Sequence, residues 1–295
     1  MTLEQLRIFV AVADRGHLTK ASDALSLTPS AVSASIRGLE ERYGTPLFDR
    51  VGRGIVLNED GRQFLPEARA TLASAHATET MLRDLGAGQR GTLHVQASQT
   101  IASYWLPPII ARFHERFPLV ALRLTLGNTQ TVAMAVGAGT AEVGFVEGRV
   151  DDSALSSIEL CQDQFAVVVG PEHPWADGLP LLPASLLTGK WIMREQGSGT
   201  RSAFEEMLAV LGVDSASLNI AMTLPSNEAV CSAVLSGAYV TVLSTLVVAA
   251  ELKAGLLSTA NIALPSRAFY VVRHASRYKS RASIALEQLI WQSCG

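Results

Sequence analysis

Bulk basic character is missing from this chain of 295 residues, whose formal net charge is −3. No general positive field is available to hold nucleic acid, so any phosphate contact falls to a few placed arginines. Charged residues are sparse at 17% while hydrophobic residues reach 48%, a globular composition that excludes disorder. Cysteine is scarce too. Cys161, Cys231 and Cys294 lie far apart and form no metal-ligand spacing. With no signal-peptide pattern at the N-terminus, the expected compartment is the cytoplasm. No apolar run reaches the length of a membrane span. The nearest, around residues 240–250, contains Thr241, Ser244 and Thr245. The histidines are scattered and no serine sits in a nucleophile-elbow pattern, so neither a catalytic set nor a metal site is expected.

What the sequence does have is concentrated at residues 18–44. Leu18 to Leu25 reads as a short helix with Ala21, Ala24 and Leu25 on one face, and Ser26-Leu27 breaks it. Thr28-Pro29 then supplies a hydroxyl N-cap and a proline for the first helical position. Val32, Ile36 and Leu39 follow at spacings of four and three, and Gly44 ends the helix. Two helices joined this tightly form a helix-turn-helix. The second presents Ser30, Ser33, Ala34 and Arg37, small enough for close approach to a major groove and able to donate to bases and phosphates. A first helix, capped by Thr2, covers Leu3 to Arg15. After Gly44, residues 50–57 read as two short strands about a glycine turn, a wing whose Arg50 and Arg53 can reach phosphates or the minor groove. Charge agrees with a locally different head: residues 1–58 carry +1, leaving −4 for the rest.

Asn58 caps a long helix running to about Leu85, on the order of 40 Å in length. Leu65, Ala68, Leu72, Ala75 and Leu82 alternate by three and four, with Glu79 interrupting the seam, and a second copy of the chain is the economical partner for it. Residues 86–91 are a glycine-rich joint. Beyond it, strand and helix patterns alternate: residues 92–97, then a helix from Ser98 to Phe117 interrupted at Pro107-Pro108, and similar units to the end. This predicts an α/β fold, and its length predicts two lobes with a cleft between them.

That order, with the segments LEQLRIFVAVADRGHLTKASDALSLTPSAVSASIRGLEERYGTPLFDR and LNEDGRQFL, resembles the LysR-type transcriptional regulators over essentially the whole chain. VGFVEG, GNTQ and REQGSGTR resemble a subgroup that includes regulators of sulfur-assimilation and carbon-fixation operons. The resemblance implies a winged helix-turn-helix DNA-binding domain at 1–58 and a linker and dimerisation helix with hinge at 59–90. It implies an effector-binding domain at 91–295 shaped like type 2 periplasmic binding proteins. One lobe comprises 91–162 with 268–295, the other 163–267. It also implies promoter DNA, a homodimer or homotetramer and RNA polymerase as partners. Several relatives carry a long polar or basic residue at Ala34, so base reading here leans on Thr28, Ser30, Ser33 and Arg37.

For the effector, helix starts at strand C-terminal ends are the places where free N–H groups favour anions. They nominate Ser98, Gln99 and Thr100, then Asn128 and Thr129, then Ser198, Gly199, Thr200 and Arg201, then Asn227. Glu147 and Arg194, at strand ends, are expected either to pair across the lobes or to touch ligand. GSGTR lacks the ending of a phosphate-binding P-loop. The expected effector is a small anion, a sulfur oxyanion or a phosphorylated metabolite, with no cofactor. Two rivals are an α/β enzyme acting on such a metabolite and an exported solute-binding protein. The first lacks an acid/base pair; the second leaves the head without purpose.

Overall fold

A computed structural model describes residues 1–52, 54–85 and 91–294. Two compact units divide the chain near residue 85. In the first, α1 (Leu3–Arg15), α2 (Leu18–Leu25) and α3 (Pro29–Tyr43) form a three-helix core, followed by the hairpin β1 (Phe48–Val51) and β2 (Gly54–Leu57) and the long α4 (Glu59–Leu85). Local chemistry sets the boundaries. The Thr2 hydroxyl accepts from the Gln5 amide in a capping box, and Gly16 ends α1 at φ 60°. Thr28 accepts from Ala31 N, Pro29 opens α3, and Gly44 closes it at φ 65°. Leu6, Phe9, Val12, Val32, Ile36 and Leu39 fill the centre. Phe9 lies 5.3 Å from the Phe48 ring and 5.0 Å from the Phe64 ring, so one side chain binds the hairpin and α4 to the helices.

The start of α4 is fastened from below. Asn58 Oδ1 accepts from Gly61 N at 2.8 Å and its Nδ2 donates to the Pro46 carbonyl at 2.9 Å. Pro66 lies inside the helix, removing one donor that the sequence reading passed over.

The second unit runs β3 (Gly91–Ser98), a π-helical turn (Ile101–Trp105), α5 (Pro107–Arg116), β4 (Val120–Gly127), α6 (Thr129–Ala138), β5 (Val143–Glu147) and β6 (Leu155–Asp163). It continues through β7 (Phe165–Val169), β8 (Lys190–Arg194), α7 (Gly199–Val210), β9 (Asn219–Leu224), α8 (Asn227–Leu235), β10 (Val240–Ser244), α9 (Thr245–Lys253), β11 (Ser258–Thr259), β12 (Arg267–His274) and α10 (Arg281–Cys294). These strands make two five-stranded mixed sheets, ordered β4-β3-β5-β12-β6 and β11-β7-β10-β8-β9. The chain passes between sheets twice: after Asp163 it leaves the first for the second, and with Arg267 it returns. Each sheet carries two separate apolar clusters, around Phe113, Phe145 and Phe269 and around Val132 and Val136 in one lobe, and around Trp191 and Phe204 and around Val230 and Val234 in the other.

Two local expectations change. The helix expected from Ser98 contains a π-helical turn before Leu106, and α5 starts afresh with proline at its first position. The strand at residues 240–244 runs without a loop into α9, which the sequence reading did not separate. Ser244 is both the last strand residue and the N-cap, its hydroxyl accepting from Leu246 N. The valines that follow disguise the change of period.

Candidate nucleic-acid interface and effector site

On α3, Thr28, Pro29, Ser30, Ala34 and Arg37 are exposed and Ser33 half-buried, while Val32 and Ile36 point into the core. One edge of the helix is therefore free of packing duty and carries hydroxyls and a guanidinium. The Thr28 and Ser30 hydroxyls lie 3.0 Å apart, fixing the donor pair at the helix start. Glu40, a candidate partner for Arg37, is committed elsewhere: its Oε1 accepts from Leu47 N at 2.7 Å and Phe48 N at 3.3 Å, anchoring the wing. Among the described residues no ion pair joins Arg37 or Arg50 to an acid. Arg50 is exposed on β1, and Arg53 lies outside the described residues. Arg37→Ala is expected to weaken binding across DNA sequences and to reduce the slope of log affinity against log salt by about one unit. Gel shifts over a salt series measure this, and an unchanged slope contradicts a phosphate role.

The helical seam divides. Ala68 is buried in the head's own core, with Leu65 and Leu72 packed against it. Ala75 is half-buried, while Leu82 is 65% exposed. Part of the apolar stripe nominated for a second copy is thus used within the head.

In the second unit the C-terminal ends of the parallel strands β3 and β5 lie side by side, with Ala97 opposite Phe145. This places Ser98 and Glu147 at one end of the first sheet. From the second sheet, β8 ends at Arg194, and α7 and α8 begin at Gly199 and Asn227. The two ends meet. Asn227 Nδ2 donates to Thr100 Oγ1 at 3.1 Å, and Asn227 N donates to Gln99 Oε1 at 2.7 Å, so Gln99 satisfies the first amide of a helix in the opposite lobe. Gln99 also donates to Glu228 at 2.6 Å. Gly199 fits against lobe one without space for a side chain: a Cβ there would stand 2.4 Å from the Glu147 carbonyl oxygen and from Thr129 Oγ1.

The centre of this junction is a residue that the sequence reading did not nominate. Arg267 donates to Asp163 at 2.7 Å, to Thr200 Oγ1 at 3.1 Å and to Thr100 Oγ1 at 3.4 Å, and approaches Glu147 at 3.6 Å. Its guanidinium lies 4.2 Å from the Phe165 ring centroid. Arg267 and Asp163 are the residues at the two chain crossings, so both belong to the seam between lobes. Burial pushes the Asp163 carboxyl above the usual range, while Arg267 and the Ser244 hydroxyl pull it back. Of the two roles expected for Glu147 and Arg194, the mutual pair does not form among the described residues. Arg194 instead grips its neighbour Glu195 with two contacts, at 2.8 and 3.1 Å, and donates to Asn227 Oδ1.

Other nominated residues stand further out. Arg201 donates to Glu205 at 2.8 Å and to the Arg194 carbonyl at 3.3 Å. Asn128 caps α6 through Thr131 N and reaches Glu195 at 3.3 Å. Thr129 donates to the Glu147 carbonyl at 3.1 Å. Ser198 is buried at the start of α7 but makes no side-chain cap.

The hydrogen-bond inventory is uneven. Thr100 and Thr200 accept from Arg267, and neither hydroxyl donates to a protein acceptor among the described residues. Ser98 is fully buried, and among the described residues its Oγ has no hydrogen-bond partner. Among the described residues the hydroxyls of Ser98, Thr100 and Thr200, all buried, therefore donate to no protein acceptor. Beside them, an open groove of about 530 Å³ is lined by Thr129, Glu147, Gly197 and Gly199. Among the described residues no cluster of histidine, cysteine and acids could hold a metal, and no helix is long and apolar enough to cross a membrane. Cys161 and Cys294, distant in sequence, pack on the same core, and burial with contact from Cys294 pushes the Cys161 thiol up to about 12.

Comparison with known proteins places both units. The model for the bacterial regulatory helix-turn-helix protein of the lysR family matches residues 3–62, and that for the LysR substrate binding domain matches residues 86–295. The HTH-type transcriptional regulator YeiE of Escherichia coli is 36% identical over 284 residues, 96% of this chain and 94% of that protein. A probable RuBisCO transcriptional regulator of Guillardia theta is 32% identical over 287 residues, 96% of this chain and 93% of that protein. In fold, the chain is similar to full-length CbnR complexed with its target DNA, with a TM-score of 0.69 at 21% identity, covering 100% of both chains.

Proposed function

This chain belongs to the LysR family of DNA-binding transcriptional regulators, and we propose that a small oxyanion held between its two lobes sets how it binds promoter DNA. The family consists of regulators with an effector-binding domain, not enzymes. The observation that carries the reading is the group of three hydroxyls, Ser98, Thr100 and Thr200, gathered from both lobes without acceptors of their own. A buried donor without a partner is costly, and an acceptor-rich ligand removes that cost. The α7 N-terminus, with no side chain capping it, adds backbone donors and a favourable dipole.

The effector belongs to the chemistry of sulfur oxyanions or phosphorylated metabolites. Similarity to probable RuBisCO transcriptional regulators favours target genes in carbon fixation, and the resemblance carried by VGFVEG, GNTQ and REQGSGTR adds sulfur assimilation. Thr28, Ser30, Ser33 and Arg37 read the major groove, and Arg50 and Arg53 hold phosphates. The chain acts as a dimer or tetramer, with the exposed end of α4 around Leu82 supplying part of the contact between copies, and it signals to RNA polymerase in the cytoplasm. Residues 1–58, 59–90 and 91–295 act as reader, connector and sensor. Ligand shifts the population between open and closed lobes, and the change reaches the heads through α4. Thermal unfolding with sulfite, sulfate, thiosulfate, phosphate and phosphorylated sugars tests the ligand class. Stabilisation by at least one of these anions is expected; stabilisation by neutral or cationic compounds alone contradicts it.

A further inference from the structure

The charges at the lobe junction do not suit a fully ionised anion. Both buried arginines are already engaged: Arg194 with Glu195 and Asn227, Arg267 with Asp163. Against these two cations stand four carboxylates, Glu147, Asp163, Glu195 and Glu228, the last held by Gln99, so acids outnumber the buried arginines at the junction. Asp163 is satisfied on both oxygens, by Ser244 at 2.6 Å and Arg267 at 2.7 Å. Glu147 differs. It is 3% exposed, its Oε1 has no hydrogen-bond partner among the described residues, and Arg267 stands off at 3.6 Å. A carboxylate oxygen sealed from water without a donor is as costly as a hydroxyl without an acceptor.

We infer that Glu147 accepts a hydrogen bond from the ligand, and that the site therefore selects an oxyanion that still carries a proton, such as hydrogen phosphate or hydrogen sulfite, over one that carries none, such as sulfate. This rests on the oxyanion reading above and narrows it. The protein presents three hydroxyl donors and one acceptor, and the complementary ligand has several acceptor oxygens and one O–H. Sulfate offers the acceptors but would set a bare oxygen against the Glu147 carboxylate. A site built to bond a ligand hydroxyl rejects the analogue lacking it strongly, because its own buried group is left unpaired and here also repelled. Glu147 is the specificity-determining residue, and Arg267, by fixing Thr100, Thr200 and Asp163 together, is a positioning residue.

The test is calorimetric titration of the full chain at neutral pH with inorganic phosphate, sulfite and sulfate, repeated with Glu147→Gln. Glutamine keeps the size but can donate through its amide. The wild type should prefer phosphate or sulfite to sulfate by about 100-fold or more. Glu147→Gln should bring that ratio to within about tenfold, chiefly by admitting sulfate, because the repelling oxygen is replaced by a donor. Sulfate binding the wild type as tightly as phosphate and sulfite overturns the inference and leaves the oxyanion reading standing. An unchanged ratio in a Glu147→Gln protein that still melts cooperatively overturns the role of Glu147. If that variant does not fold, the wild-type ratio decides. Failure of all three anions to bind the wild type overturns the oxyanion reading and this inference together.

Discussion

Arg267→Met should cost about 3–5 kcal/mol of stability in the sensor unit, the largest loss expected from a single side chain there. The guanidinium touches both lobes and both chain crossings, bonding Asp163, Thr100 and Thr200 while lying on Phe165. Methionine fills much of the space but leaves Asp163, 3% exposed, with only the Ser244 hydroxyl. The loss should depend on pH. Burial already holds the folded-state pKa of Asp163 above its ordinary value, so the folded protein binds that proton more tightly than the unfolded chain. Stability from this group is therefore present at low pH and falls as pH rises through the folded value. Without Arg267 the folded value rises further, so the deficit of Arg267→Met should widen from acid to neutral pH. Adding Asp163→Asn removes the stranded charge and should recover much of the loss. Urea unfolding of the wild type, the single variant and the double variant at two pH values measures both effects. A variant within about 1 kcal/mol of wild type at neutral pH contradicts this account of the junction, which requires at least the lower end of the buried-pair range.

Gly61→Ala should disable the reader while sparing the sensor. A Cβ at Gly61 would stand 2.1 Å from the Leu47 carbonyl oxygen and 2.8 Å from Leu57 Cδ2. The carbonyl cannot readily retreat. It accepts from Asn58 N at 3.1 Å, and Leu47 N is itself held by Glu40. The alanine must therefore push α4 away from the wing, at a cost of about 3 kcal/mol, and disorder the path to Arg50. The four tryptophans, Trp105, Trp175, Trp191 and Trp291, all lie beyond residue 90. Tryptophan fluorescence therefore reports the sensor alone. DNA affinity and helical circular dichroism should fall while the fluorescence-detected transition stays in place. Wild-type DNA affinity in Gly61→Ala contradicts the packing described.

The head was legible because its signals are local. Thr2, Gly16, Thr28-Pro29 and Gly44 act within a turn of where they stand, and each boundary follows from one capping residue. The alternating lobes were legible from periodicity, except where Ser244 ends a strand and caps α9 with no loop between. The junction was legible only in part. Ser98, Thr100, Thr200 and Asn227 could be nominated because helix starts at strand ends have a general chemistry. Arg267 and Asp163 could not, since they are 104 residues apart and meet only because the chain crosses between sheets at both points. The same limit left the relation of Glu147 to Arg194 open: each sits at a strand end, and sheet order decides which cation faces which acid.

The coupling between cleft and DNA is tested most directly by titrating a bound oxyanion against promoter fragments recovered from the genome, read by fluorescence anisotropy and footprinting. The account predicts that saturating anion changes the affinity or the length of the footprint in the wild type, and that Ser98→Ala with Thr100→Ala abolishes the change while leaving anion-free DNA binding intact. An anion that demonstrably occupies the cleft yet leaves both affinity and footprint unaltered would contradict it.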